Sequence, residues 1–114
     1  MPMENQISSS RPVDDPIIRD FVVSLRTQMG PRLRQVFLFG SRARGDAKED
    51  SDYDMLVIVD QRTLELRNKI LEIEARLMDR YGALVATVLQ SEEEWEQAQG
   101  LPLARNVARE GMAL

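Results

Sequence analysis

Two short apolar runs, Gln35–Phe39 and Tyr53–Val59, bracket a polar stretch that carries Gly40 and Gly45. Their shortness and their aromatic and β-branched content predict two buried strands joined by a loop. Ala83–Leu89 reads as a third strand. Helical patterns fill the spaces around them. Asp15 and Pro16 form an N-cap and first position, followed by Ile17, Ile18, Phe21, Val22, Leu25 and Met29 at helical spacing, and Gly30-Pro31 stops that helix. Thr63–Tyr81 is a long amphipathic helix with Leu66, Ile70, Ile73 and Leu77 on one face and Gly82 as its C-terminal stop. Ser91 and Glu94 form a capping box before a short acidic helix, and Leu101–Met112 reads as a last helix. This order predicts an α/β chain (α+β in some schemes), with a small mixed β-sheet of about three to four strands flanked by helices. A length of 114 residues fits one domain, placed at residues 14–114, with residues 1–13 expected as a disordered tail.

Composition narrows the chemistry. The chain has no cysteine, which removes disulfides, thiolate nucleophiles and cysteine-based zinc sites. It also has no histidine, which removes the commonest general base and most transition-metal sites. A net charge of −4 offers no general basic surface to nucleic acid. No apolar run reaches the length of a membrane span, and the polar, Ser-rich start lacks the apolar core of a signal peptide. A cytoplasmic protein without membrane contact is expected. Its chemistry must rest on carboxylates, hydroxyls, Arg/Lys, Tyr or a hard cation.

Asp52 and Asp54 stand two apart at the entrance of the second strand, so both are expected on one face. Adjacent carboxylates repel unless a cation neutralises them. Magnesium suits them, because it takes oxygen ligands and commonly uses one or two carboxylates plus substrate phosphates. Upstream, Gly40 permits close backbone approach to a ligand and Ser41 supplies a hydroxyl. Arg42 and Arg44 are candidates for charge-assisted contacts to a triphosphate. A phosphate cradle beside a carboxylate pair suits phosphoryl-type transfer. Asp52 and Asp54 are therefore the candidate catalytic and metal-binding residues, and Gly40, Ser41, Arg42 and Arg44 the candidate nucleotide-binding ones. Tyr53 points to the opposite face and reads as packing. Asp46, Lys48, Glu49 and Asp50 read as a solvated loop, Glu92 to Glu96 as an exposed helix start, and Trp95 as packing at a helix–sheet edge.

The segments Gly40-Ser41-Arg42-Ala43-Arg44-Gly45 and Ser51-Asp52-Tyr53-Asp54-Met55-Leu56-Val57 resemble the signature of the DNA polymerase beta-like nucleotidyltransferase superfamily. The match is nearest to its minimal nucleotidyltransferase (MNT) branch and covers nearly the whole chain. The tail Leu103–Gly111 is similar to the end of stand-alone bacterial members, a weaker likeness. The resemblance implies the nucleotidyltransferase fold. It also implies magnesium-dependent transfer of a nucleoside monophosphate from a triphosphate, with ATP the expected substrate, to an acceptor hydroxyl. Many MNT proteins pair with a HEPN-type toxin carried on a separate chain, and some adenylylate it, so a HEPN toxin is the implied partner and toxin–antitoxin biology the implied setting. The likeness departs at one place. The family usually carries a third carboxylate on the strand after the long helix, whereas Ala83–Leu89 has none and Thr87, a neutral hydroxyl, stands near that position. Three readings follow: a protein adenylyltransferase, a binding module that neutralises a toxin by complex formation, and a small-molecule transferase of the aminoglycoside-modifying kind. The last would need an acceptor pocket at an oligomer interface, and a half-exposed sheet in so short a domain favours a homo-oligomer or hetero-complex.

Overall fold

A computed structural model describes residues 12–114, so most of the expected tail over residues 1–13 lies outside the described residues. Pro12–Asp14 form a single 3-10 turn. Asp15 then caps the first helix, α1 (Pro16–Met29), its carboxylate accepting a hydrogen bond from the Ile17 N–H at 2.8 Å. Gly30 ends α1 with a positive φ of 57°, and a short 3-10 turn leads into β1 (Leu33–Phe39). A one-turn helix, α2 (Ser41–Arg44), and a loop follow before β2 (Tyr53–Val59). The Thr63 hydroxyl caps α3 (Leu64–Tyr81), which Gly82 ends in the left-handed conformation, and β3 (Val85–Ser91) returns alongside. The capping box of Ser91 and Glu94 is complete in both directions and opens α4 (Glu92–Gln97). The chain closes with α5 (Pro102–Glu110) and a two-residue strand, β4 (Met112–Ala113).

The sheet is mixed, in the order β3-β2-β1-β4. β1 runs antiparallel to β2 and β4, while β3 runs parallel to β2 through the α3 crossover. β2 is therefore central, and its alternation divides the core. Tyr53, Met55, Val57 and Val59 belong to the larger cluster, with Phe21 and Leu25 of α1 and Leu66, Ile70, Ile73 and Leu77 of α3. Leu56 and Ile58 belong to a smaller cluster on the opposite face, with Val107 of α5 and the partly buried Phe37, Phe39 and Trp95. Trp95 stacks obliquely near Phe37, with ring centroids 6.3 Å apart. Burial on both faces explains why β2 reads as a nearly continuous apolar run. No helix among the described residues is long and apolar enough to cross a membrane.

The end of the chain differs from its sequence reading. The helix expected to reach Met112 stops at Glu110, and Met112–Ala113 pair with Leu38 and Phe37 of β1. Gly111 makes the break. Its N–H donates to the Val107 carbonyl at 2.7 Å, and a Cβ there would stand 2.5 Å from that same oxygen. The strand after α3 also sits two residues later than expected, at Val85–Ser91.

Candidate active site

The site forms where β1 ends. Gly40 takes φ 77°, ψ −159°, a conformation open to glycine and little else. A Cβ on Gly40 would overlap Asp54 Oδ2 and stand 3.1 Å from Asp54 Cγ, so the turn lies directly against that carboxylate. The register Phe39↔Asp54 between β1 and β2 sets this approach. The Gly40 carbonyl accepts from the N–H groups of Ala43 and Arg44, and Gly45 in the left-handed region closes the turn by donating to Ser41 O at 2.9 Å. Ser41 thus opens α2, one residue beyond the point of contact with Asp54.

Asp54 is partly buried at the start of β2, while Asp52 precedes the strand by one residue and is exposed. Burial first, and then the charge of Asp52, push the Asp54 carboxyl above its usual range; Arg44 opposes the rise and Glu110 adds to it. The charge of Asp52 thus bears on Asp54, the more enclosed of the two. Among the described residues no group of three or more acidic side chains is placed to hold a metal ion.

The two arginines do different things. Arg44 lies on the Asp54 side, with Nη1 on both Glu110 oxygens at 3.2 and 3.3 Å and Nε on Asp46 at 3.2 Å. Arg42 turns to the loop instead. Its guanidinium lies 4.0 Å over the Tyr53 ring and donates to the carbonyls of Ser51 at 2.8 Å and Glu49 at 3.2 Å. Tyr53 is buried, donates its hydroxyl to Asp15 Oδ2 at 2.7 Å, and has its phenol pushed up to about 12, mainly by burial. Arg42 and Tyr53 therefore fix the loop between Gly45 and Asp52, whose charged residues are exposed. An open cleft of about 300 Å³ runs from Asp52 past Arg42 to Tyr81 and Leu84, with Gly40 and Asp54 outside its lining.

Two features depart from the sequence reading. The β2–β3 register pairs Asp54 with Ala86 and Met55 with Thr87. Alternation places Thr87 with Val85 and Leu89 on the α1–α3 side, away from Asp54. Its buried hydroxyl has no hydrogen-bond partner among the described residues. The β3 residues sharing the Asp54 face are Ala86, Val88 and Gln90, so that strand supplies no acid to the site. The sequence reading also missed Glu110, which accepts a hydrogen bond from the Gly40 N–H at 2.9 Å through Oε2. Its only sequence signal is the tail Leu103–Gly111, because seventy residues separate it from Gly40.

Comparison with known proteins identifies the family. The family model for polymerase beta-type nucleotidyltransferases matches residues 25–112. The chain is 31% identical over 101 residues to a candidate protein adenylyltransferase of Methanocaldococcus jannaschii, covering 89% of this chain and 97% of that one. A solved structure of a candidate minimal nucleotidyltransferase is 30% identical, spans all of this chain and 97% of its own, and superposes with a TM-score of 0.55. At the level of fold alone, the chain is similar to the complex of a tri-AMPylated Shewanella oneidensis HEPN toxin with its MNT antitoxin, at 19% identity and a TM-score of 0.51 over 85% of this chain and 70% of that one. The protein belongs to the polymerase beta-type nucleotidyltransferase family, in its minimal nucleotidyltransferase branch.

Proposed function

We infer that the protein transfers AMP from ATP, with magnesium, to a hydroxyl of a partner protein, and that this partner is the HEPN-type toxin of a cytoplasmic toxin–antitoxin pair. The observation that carries the reading is the Gly40 turn packed against the Asp54 carboxylate, with Asp52 close enough to repel it. Two carboxylates without nitrogen or sulfur donors suit a hard divalent cation, which would supply neutralisation of phosphate charge. Gly40 lets the backbone of the turn approach the Asp54 carboxylate directly, Ser41 offers a hydroxyl at the next position, and Arg44 brings a guanidinium to the same side. In the reaction the acceptor oxygen bonds to the α-phosphorus as the bond to the bridging oxygen of the β-phosphate breaks. Pyrophosphate leaves, and the acceptor proton is lost to a base. The protein adenylyltransferase name of a relative that matches nearly end to end supports AMP as the transferred group. The AMPylated toxin bound to an antitoxin of similar fold supports the partner.

A second reading draws on β3. With Ala86 beside Asp54 and no acid on that strand, the domain is also suited to hold nucleotide or toxin without turnover. Incubation with labelled ATP and magnesium, with and without the product of a neighbouring gene, followed by intact-mass measurement, separates the two. Gain of AMP on the partner, lost in Asp52→Ala/Asp54→Ala, is the expected result. Transfer that survives in the double variant overturns the assignment. Magnesium-dependent ATP binding with no covalent gain, and inhibition of the partner by complex formation, selects the second reading.

A further inference from the structure

Glu110 is the last residue of α5, the end at which the helix dipole disfavours an anion. Its neighbour on the helix, Arg109, donates to Asn106 instead. The side chain is only 13% exposed, and both of its oxygens are used. Oε2 accepts from the Gly40 N–H at 2.9 Å, and Arg44 Nη1 bridges the two oxygens at 3.2 and 3.3 Å. What places it is the sheet. β4 lies antiparallel on β1 with Leu38 opposite Met112, and the same register carried two residues further sets Glu110 opposite Gly40. Gly111 allows this sharp exit from the helix, since any Cβ there would collide with the Val107 carbonyl. The short strand and the close glycine thus deliver one carboxylate to the turn that packs on Asp54.

We propose that Glu110 is the positioning residue of the nucleotide site, holding the Gly40–Ser41 turn and the Arg44 guanidinium in the posture that receives the triphosphate. This rests on the nucleotidyltransferase reading above. Glu110 acts through Gly40 and Arg44, and takes no part in bond making. The role predicts a sign opposite to that of simple charge. An anion beside a triphosphate repels it, so loss of Glu110 would tighten binding if the carboxylate were only a nearby charge or an occupant of the cradle. Loss of a positioning group loosens binding, because the turn and the guanidinium then have to be ordered by the ligand itself.

The test is calorimetric titration of the full chain with ATP and magnesium, for the wild type, Glu110→Ala and Glu110→Gln. Amide exchange at Gly40 and a thermal melt are measured on the same samples. Glu110→Ala is expected to weaken MgATP binding by about tenfold or more, the scale of one charge-assisted hydrogen bond. Glu110→Gln keeps an oxygen acceptor for the Gly40 N–H but not the ion pair, and is expected between the two. Gly40 exchange protection should fall in the alanine variant and persist in the glutamine variant. Equal or tighter binding in Glu110→Ala overturns the proposal. If that variant fails to fold, the glutamine variant decides by the same sign. A wild-type chain that binds no MgATP overturns the functional reading, and this proposal with it. Binding in the wild type that the variants leave unchanged overturns only the role of Glu110.

Discussion

Gly40→Ala probes the closest approach in the site. Gly40 sits at φ 77°, ψ −159°, where an L-residue costs about 1–3 kcal/mol of backbone strain. The new methyl would also overlap Asp54 Oδ2 while standing 3.1 Å from Cγ and 3.3 Å from Cβ. The last two distances are tight but bearable. The carboxylate oxygen must move, and driving a side chain off its rotamer adds about 0.5–1.5 kcal/mol. Together these give a loss of about 2–4 kcal/mol, and for a domain of this size a fall in Tm on the order of 10–20 °C. Gly45→Ala is the matched control. Gly45 also has a positive φ, 88°, but no atom lies within 4 Å of its Cβ position, so only a left-handed backbone penalty of about 1–2 kcal/mol applies.

Circular-dichroism melts and MgATP titration read the two effects separately. Gly40→Ala is expected to melt lower than Gly45→Ala and to lose nucleotide binding, because Asp54 has been displaced. Gly45→Ala should keep it. Asp54→Gly in the Gly40→Ala background removes the overlapped side chain, so the double variant should be more stable than the sum of the two single losses predicts. Gly40→Ala that melts with Gly45→Ala and binds MgATP like the wild type would refute the reasoning.

Two further predictions concern charge. In the metal-free protein the Asp54 carboxyl is raised by burial and then by Asp52, with Arg44 opposing and Glu110 adding, so the folded state holds that proton more tightly than the unfolded chain. Its contribution favours folding in acid and is lost as pH climbs from the ordinary carboxylate range through the raised value, so Asp54→Asn should melt above the wild type at pH 7, with the gap closing in acid. Asp20 runs the other way: the hydrogen bond from Arg76 lowers its carboxyl, against some opposing burial, with help from Tyr81 and Ser24. That stability is present above the ordinary range and lost as pH falls through the lowered value, so Asp20→Asn should melt below the wild type at neutral pH and equal it in acid. Arg42→Lys cannot both stack on Tyr53 and fork between the Ser51 and Glu49 carbonyls, so limited proteolysis should cut the 45–52 loop faster, with a stability loss of about 1 kcal/mol.

What the sequence reveals of this molecule is what local rules govern. Asp15 before Pro16, Thr63 three residues before Leu66 and the Ser91–Glu94 box each satisfy orphan N–H groups within one turn, so those helix starts are visible in the chain. Gly30 and Gly82 mark helix ends because the positive φ is itself a local demand. β4 carries no such mark: two residues have no readable period, and their pairing with β1 is decided by the sheet. Glu110 is hidden for the same reason. Its partner lies seventy residues away, and only the β1–β4 register brings them together. Thr87 shows the converse error. It lies close to the family position along the chain, but a strand alternates faces, so a displacement of one residue from Ala86 puts it on the opposite side of the sheet from Asp54.

The same alternation explains how one tripeptide serves the core and the site together. At the start of β2, Tyr53 turns into the α1–α3 layer, where burial and its bond to Asp15 tie the strand entrance to the first helix. Asp54 turns to the opposite face, where Gly40 and the Arg44–Glu110 pair surround it. Arg42 belongs to the Tyr53 side although it lies one residue from Ser41, because its stacking on Tyr53 and its bonds to the loop carbonyls hold the segment that delivers Asp52. The geometry of the carboxylate pair is therefore set from both faces of the sheet. Truncating Tyr53 or Arg42 should disturb the Asp52–Asp54 spacing without touching either acid, whereas the Glu110 variants should disturb the phosphate side and leave that spacing intact. Followed by carboxyl NMR, the part of the Asp54 rise that Asp52 supplies should be lost in Tyr53→Ala and kept in Glu110→Gln, where only the lesser part that Glu110 itself adds is removed, and this separates the two supports.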